Sequence, residues 1–131
     1  MDLVADTSVL IAVIVNEPEK AALINATRGR TLIAPPSVHW EIGNAFSAML
    51  KRGRLTQLEA SQAVEAYQQI ALRYATVELK ESLLIAAKLS IYAYDAYLIR
   101  CAQKYEAPLI TLDVKLARLA QQEGIHVMEY R

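Results

Sequence analysis

The run Leu3-Val4-Ala5-Asp6-Thr7-Ser8-Val9-Leu10-Ile11-Ala12-Val13-Ile14 decides how the rest of the chain is read. Its first three residues are apolar without alternation, the mark of a strand covered on both faces. Asp6-Thr7-Ser8 interrupts, and a nearly all-apolar stretch follows at once, which reads as a buried helix leaving the strand's carboxyl end. Working outward, Pro18 sits in the first turn of a second helical segment, Glu19 to Thr27, that Gly29 closes. Thr31 to Ala34 reads as strand two, broken by Pro35-Pro36-Ser37. A helix follows from Val38 to Arg52 with Gly53 as its stop. Thr56 and Glu59 form a capping box that opens a further helix to Tyr74, so the two make a helical hairpin.

The alternation continues to the end of the chain. Thr76 to Leu79 reads as a third strand, Glu81 to Tyr92 and Ala96 to Glu106 as helices, and Pro108 to Leu112 as a buried strand. Val114 to Glu123 is helical up to Gly124, and Ile125 to Glu129 is a last strand. Strands separated by helices pair in parallel through right-handed crossovers. The expected fold is therefore α/β, a three-layer α/β/α sandwich with a central parallel sheet, formed by one domain over residues 1–131. Sites in such sheets form beyond the carboxyl ends of the strands, where strand order reverses.

Composition narrows the function. Fourteen Lys and Arg balance fourteen Asp and Glu, so the formal net charge is zero and the bulk basic footprint of a coat-type nucleic-acid binder is excluded. The single cysteine, Cys101, excludes an intrachain disulfide framework and a cysteine-rich zinc site. The longest apolar run, Val9 to Val15, is far short of the ~20 residues of a membrane-spanning helix. Asp2 and Asp6 occupy the place of a basic leader. The expectation is a soluble, cytoplasmic protein with no membrane partner.

Four acids stand where an α/β pattern has no use for them. Of the four aspartates, Asp6, Asp95 and Asp113 fall where a buried segment begins or ends. Glu41 lies on the same helical face as Val38, Ile42, Ala45, Phe46 and Met49, and Asp95 is aligned with Leu98, Ile99 and Ala102. Each has a structural alternative. Asp95 and Asp113 can be N-caps, Asp6 a turn residue, and Glu41 one half of a buried ion pair. If the four converge, they repel one another and need a cation. Oxygen ligands with no cysteine and no pair of histidines select a hard ion, Mg²⁺ or Mn²⁺, and such an ion in a switch-point cleft suits hydrolysis of a phosphate ester.

These residues carry a resemblance. Asp6-Thr7-Ser8 after a strand, Glu41-Ile42-Gly43-Asn44-Ala45, Tyr94-Asp95-Ala96-Tyr97-Leu98, and Leu109-Ile110-Thr111-Leu112-Asp113 with Lys115-Leu116-Ala117 resemble, in order and spacing, the motifs of PIN domains. The similarity is greatest to the VapC family of toxin ribonucleases from toxin–antitoxin pairs. The resemblance implies that Asp6, Glu41, Asp95 and Asp113 bind Mg²⁺ or Mn²⁺, with Thr7, Ser8, Asn44 and Thr111 orienting them. It also implies an endoribonuclease acting on RNA through a metal-activated water, a homodimer, and a cognate VapB-like antitoxin peptide as partner. Two alternatives remain at this point, a non-catalytic PIN-fold module that engages a partner peptide and a housekeeping RNA-processing nuclease. Phosphoryl-transfer folds of dehalogenase type want a second acid where Ser8 stands.

Other residues are given plainer roles. His39 and His126, the only histidines, are read as structural or surface residues. Lys51, Arg52 and Arg54, the densest basic run, lie at the tip of the helical hairpin and are the candidate contact with RNA phosphates. Tyr92, Tyr94 and Tyr97 offer stacking faces for bases, with packing in the domain or at a dimer interface as the first expectation. Cys101 is expected in the core, and Trp40 is expected to anchor packing or a partner surface.

Overall fold

Leu3, Val4 and Ala5 have no exposed surface, and everything else is arranged around that strand. The computed structural model describes all 131 residues. It places β1 (Asp2–Ala5) in the interior of a four-stranded sheet of order β3-β2-β1-β4, with β2 (Thr31–Ala34), β3 (Leu72–Tyr74) and β4 (Leu109–Ile110). Every pairing is parallel: Val4 is opposite Ile33 on one side and Leu109 on the other, and Leu32 is opposite Leu72. The crossovers are α1 (Thr7–Ile14) and α2 (Lys20–Thr27), then α3 (Ser37–Lys51) and α4 (Gln57–Gln68), then α5 (Leu79–Leu89) and α6 (Ala93–Lys104). α7 (Val114–Gln122) follows β4. The seven helices cover the sheet as the three-layer α/β/α sandwich read from the sequence.

One core of 28 buried residues fills the structure, including Val9, Leu10 and Ile11 of α1 and Ala96, Leu98, Ile99 and Cys101 of α6. No single helix is long and apolar enough to cross a membrane. The chain runs from β1 through β2 to β3 in one direction along the sheet and then returns to place β4 on the far side of β1. Strand order therefore reverses between β1 and β4, and Asp6 and Thr111 follow those two strands directly.

The ends of α3 and α4 show why the hairpin forms. Gly53, at φ +71°, closes α3. Its N–H reaches the Leu50 carbonyl at 3.1 Å and the Arg54 N–H reaches the Met49 carbonyl at 2.8 Å, the paired bonds of a Schellman turn, which requires a residue tolerant of the left-handed region. Thr56 and Glu59 then make the reciprocal capping box.

Several element boundaries differ from the sequence reading. β3 is Leu72–Tyr74, not Thr76–Leu79, and α4 stops at Gln68 instead of reaching Tyr74. The edge of β2 needs a partner, and pairing of Leu72, Arg73 and Tyr74 with it outweighs continuing the helix. α6 begins at Ala93, so Asp95 lies inside its first turn and is not an N-cap. The last strand shrinks to one bridge, Leu109 to Val127, because β4 is only two residues long. Replacing Thr56 with Ala is expected to lower stability by about 1 kcal/mol, read as a lower urea midpoint with an unchanged slope.

Candidate functional site

Asp6 stands at the N-cap position of α1, yet its carboxylate does not cap the helix. Its Oδ2 accepts the hydroxyl protons of Ser8 at 2.8 Å and Thr111 at 2.6 Å. Each hydroxyl has one proton, so both are committed to the same oxygen. The hydroxyl oxygens accept in turn, Ser8 Oγ from the Leu112 N–H and Thr111 Oγ1 from the Asp113 N–H, each at 3.0 Å. This net ties the end of β1 to the residues after β4 across 105 positions of sequence. Asp6 Oδ1 stays outside it and is not sealed from solvent.

The same division recurs nearby. Thr7 Oγ1 donates to Glu41 Oε2 at 3.3 Å, and Asp113 Oδ1 caps α7 by accepting the Leu116 N–H at 3.1 Å. In each of these three acids one oxygen is held by the fold and the other is left over. Asp95 has no such anchor, and neither of its oxygens is committed. None of the structure's ion pairs neutralises any of the four.

Electrostatics show that the four share one neighbourhood. Burial first, then the charges of Asp6 and Asp95, push the Glu41 carboxyl from 4.5 up to about 7, against an opposing pull from the Thr7 hydroxyl. Asp95 is raised by burial and by repulsion from Asp113 and Asp6, with Lys115 opposing. Lys115, in the first turn of α7, is a cation beside the cluster, to which the sequence reading gave no role beyond its place in a motif. Its signal was only its place two residues after Asp113. No three Asp, Glu, His or Cys side chains close around a single point, so the acids are grouped but do not form a finished coordination cage.

The other sequence candidates divide. Thr7, Ser8 and Thr111 join the acids as expected. Asn44, one helical turn past Glu41, is exposed, and only its backbone carbonyl is engaged, by the Ser47 hydroxyl. Lys51, Arg52 and Arg54 are exposed on the turn after α3, with Lys51 ~15 Å along the helix from Glu41. His39 Nδ1 meets the hydroxyls of Tyr67 and Tyr74 at 3.1 and 3.2 Å, whereas His126 pairs by its backbone beside the start of β4. The two imidazoles therefore share no site. Cys101 is fully buried, with its thiol pushed up to about 12 by that burial. Tyr92 and Tyr94 are exposed, so of the two expected places, the domain interior or a dimer interface, they do not occupy the first. Trp40 is 73% exposed and packs edge-on to His39, so it does not anchor the core.

A parallel sheet with acids gathered at its switch point defines a class, and the chain belongs to the PIN domain family, whose model it matches over residues 3–122. Among its relatives, Ribonuclease VapC9 of Mycobacterium tuberculosis is 31% identical over 123 residues, spanning 92% of this chain and 93% of the relative. The crystal structure of PAE2754 from Pyrobaculum aerophilum superposes with a TM-score of 0.73 at 21% identity, covering 91% of this chain and 79% of that one. That of VapBC2 from Rickettsia felis, bound to a DNA fragment from its promoter, superposes at 0.69 and 14% identity over the full length of both.

The raised Glu41 carboxyl sets a pH dependence in metal-free buffer. Below pH 4.5 folded and unfolded chains both carry the proton. Between 4.5 and about 7 only the folded chain keeps it, so this group's contribution to stability falls as pH rises through that window and stays low above it. Glu41→Gln removes the effect. The variant is expected to match its parent in acid and to exceed it above neutrality by about 1 kcal/mol after solvent screening, measured by urea titration across pH.

Proposed function

We propose that this chain is a metal-dependent endoribonuclease, the toxin of a toxin–antitoxin pair, which hydrolyses RNA phosphodiesters. The observation that carries the reading is the division of labour among the carboxylates: Asp6, Glu41 and Asp113 each commit one oxygen to the fold and leave one over, Asp95 leaves both, and no cationic side chain is bonded to any of them. The ribonuclease relatives and the toxin–antitoxin complex among the structural neighbours support it.

The donor set fits a hard divalent cation by its chemistry: four carboxylates, no thiolate and no imidazole select Mg²⁺ or Mn²⁺. Asp6, Glu41, Asp95 and Asp113 would hold the ion, which when bound supplies a Lewis acid and an activated water at the phosphate. The chain's own residues do the positioning. Ser8 and Thr111 lock the Asp6 carboxylate by two hydroxyl bonds to one oxygen, and Thr7 orients Glu41. Lys115, whose charge reaches Asp95, would meet the charge of an incoming phosphate, and Lys51, Arg52 and Arg54 would contact the RNA backbone farther off. The partners proposed are single-stranded or looped RNA, a VapB-like antitoxin peptide and a second copy of the chain.

Melting and digestion together test the proposal. Adding Mn²⁺ or Mg²⁺ is expected to raise the melting temperature and to switch on cleavage of a mixed RNA substrate. Asp95→Asn breaks no hydrogen bond, so it is expected to keep or improve metal-free stability while losing the metal-induced rise and slowing cleavage at least about 100-fold. Cleavage that persists in chelator, or a melting temperature indifferent to either ion, would falsify this reading. Thr111→Val is expected to lower stability by about 1–3 kcal/mol, since a buried acceptor and a backbone donor both lose their partner, and to slow cleavage about 10- to 100-fold.

A further inference from the structure

The ends of β2 and β3, beside the carboxylates, enclose a second feature that the proposed chemistry does not use. A cavity of about 220 Å³ lies there, walled by Pro35, Pro36 and Ser37 where β2 passes into α3, by Val77 and Leu79 after β3, and by Tyr97 of α6. The geometry points to a nucleobase pocket, which takes one unpaired base of the RNA close to the scissile phosphate. The inference rests on the ribonuclease reading for the chemistry of its ligand.

Four observations carry it. Size comes first: the cavity is smaller than the ~300–1,000 Å³ of sites for drug-sized ligands and suits a single ring system. Its lining is the second, since two proline rings, two aliphatic side chains and the Tyr97 ring form an apolar slot, and Tyr94 meets Tyr97 edge-on at 6.1 Å. A base buries its faces against such walls with little regard to backbone sequence. Third, Ser37 Oγ in this wall is buried with no hydrogen-bond partner. A base edge supplies donors and acceptors to complete it.

Position is the fourth. Ser37 and Glu41 are one turn apart on the same face of α3. Asp6 and Asp113 follow β1 and β4 and the cavity lies at the ends of β2 and β3, a separation of about two strand spacings, or ~10 Å. That matches a base within about two nucleotides of the cut in an extended strand. The wall is also rigid. Glu78 is clamped to α6 by Arg100 at 2.9 Å and Lys104 at 2.6 Å, and the Thr76 carbonyl accepts from Lys104 at 3.1 Å and from the Tyr105 hydroxyl at 2.8 Å. A slot held open in this way takes a base at little ordering cost.

The experiment reads contact and cleavage separately. Full-length protein in chelator is irradiated with single-stranded RNA carrying 5-bromouracil, and the adduct is mapped by mass spectrometry. The expected adduct lies on Tyr97 or within Thr76–Leu79, and Val77→Phe, which fills the cavity, is expected to cut its yield about tenfold. In Mn²⁺, the parent is expected to prefer one class of base at a fixed position near the cut, and Val77→Phe to flatten that preference by a similar factor. Tyr97→Ala, which removes a wall, gives the same two readouts should Val77→Phe not fold. Adducts confined to other surfaces, such as the Lys51–Arg54 turn, overturn the pocket. So does a base preference untouched by both variants, or a cavity shielded by an antitoxin peptide but never by RNA. Failure of the ribonuclease reading looks different: no cleavage by the parent, with the Tyr97 adduct still formed.

Discussion

The parallel pairing of β1 with β4 is the constraint on which the site depends. Only two residues of β4 take part, yet they set Ala5 beside Ile110, so that Asp6 and Thr111 leave the sheet side by side. Asp6 is then held by two hydroxyl protons on one oxygen, and its second oxygen stays in reach of solvent. A buried carboxylate without those donors would be costly to keep ionised. With them, the fold fixes one carboxyl group at the centre of the cleft, and three more acids approach it from α3, α6 and α7.

Much of this arrangement could be read from the chain itself, for physical reasons. An unbroken apolar run such as Leu3-Val4-Ala5 has few structural solutions, and Gly53 followed by Thr56 and Glu59 leaves little freedom in how two helices meet. The acids were conspicuous because a charge on an apolar stripe needs an explanation. What escaped notice depends on tertiary contacts. The edge of β2 recruits Leu72–Tyr74 from what looked like the end of a helix, and Asp95 moves from cap to first turn because α6 starts three residues early. Asn44 shared a motif with Glu41, yet its side chain stands exposed without a partner among the acids.

The cavity beside Tyr97 was invisible for a similar reason. Pro35-Pro36-Ser37 read only as the end of a strand, and nothing local says that Val77 and Leu79 will stand opposite it. The clamp from Arg100 and Lys104 onto Glu78 closes that wall, and it holds the Glu78 carboxyl down at about 2. Ion pairs so exposed add little to stability. Their value here lies in position, since they fix a loop against the helix that also carries Asp95.

The bond between Asp6 and Thr111 also has a temporal side. These partners are 105 residues apart, the first made early in synthesis and the second late. Domains are built from their amino-terminal end at roughly 5–20 residues per second, and distant pairings form last. A ribosome-bound chain can therefore hold β1, β2 and most of the helices while the cleft still lacks its far wall. Asp6 and Thr111 thus meet only after almost all of the chain has emerged, so the cleft is the last part of the fold to be completed.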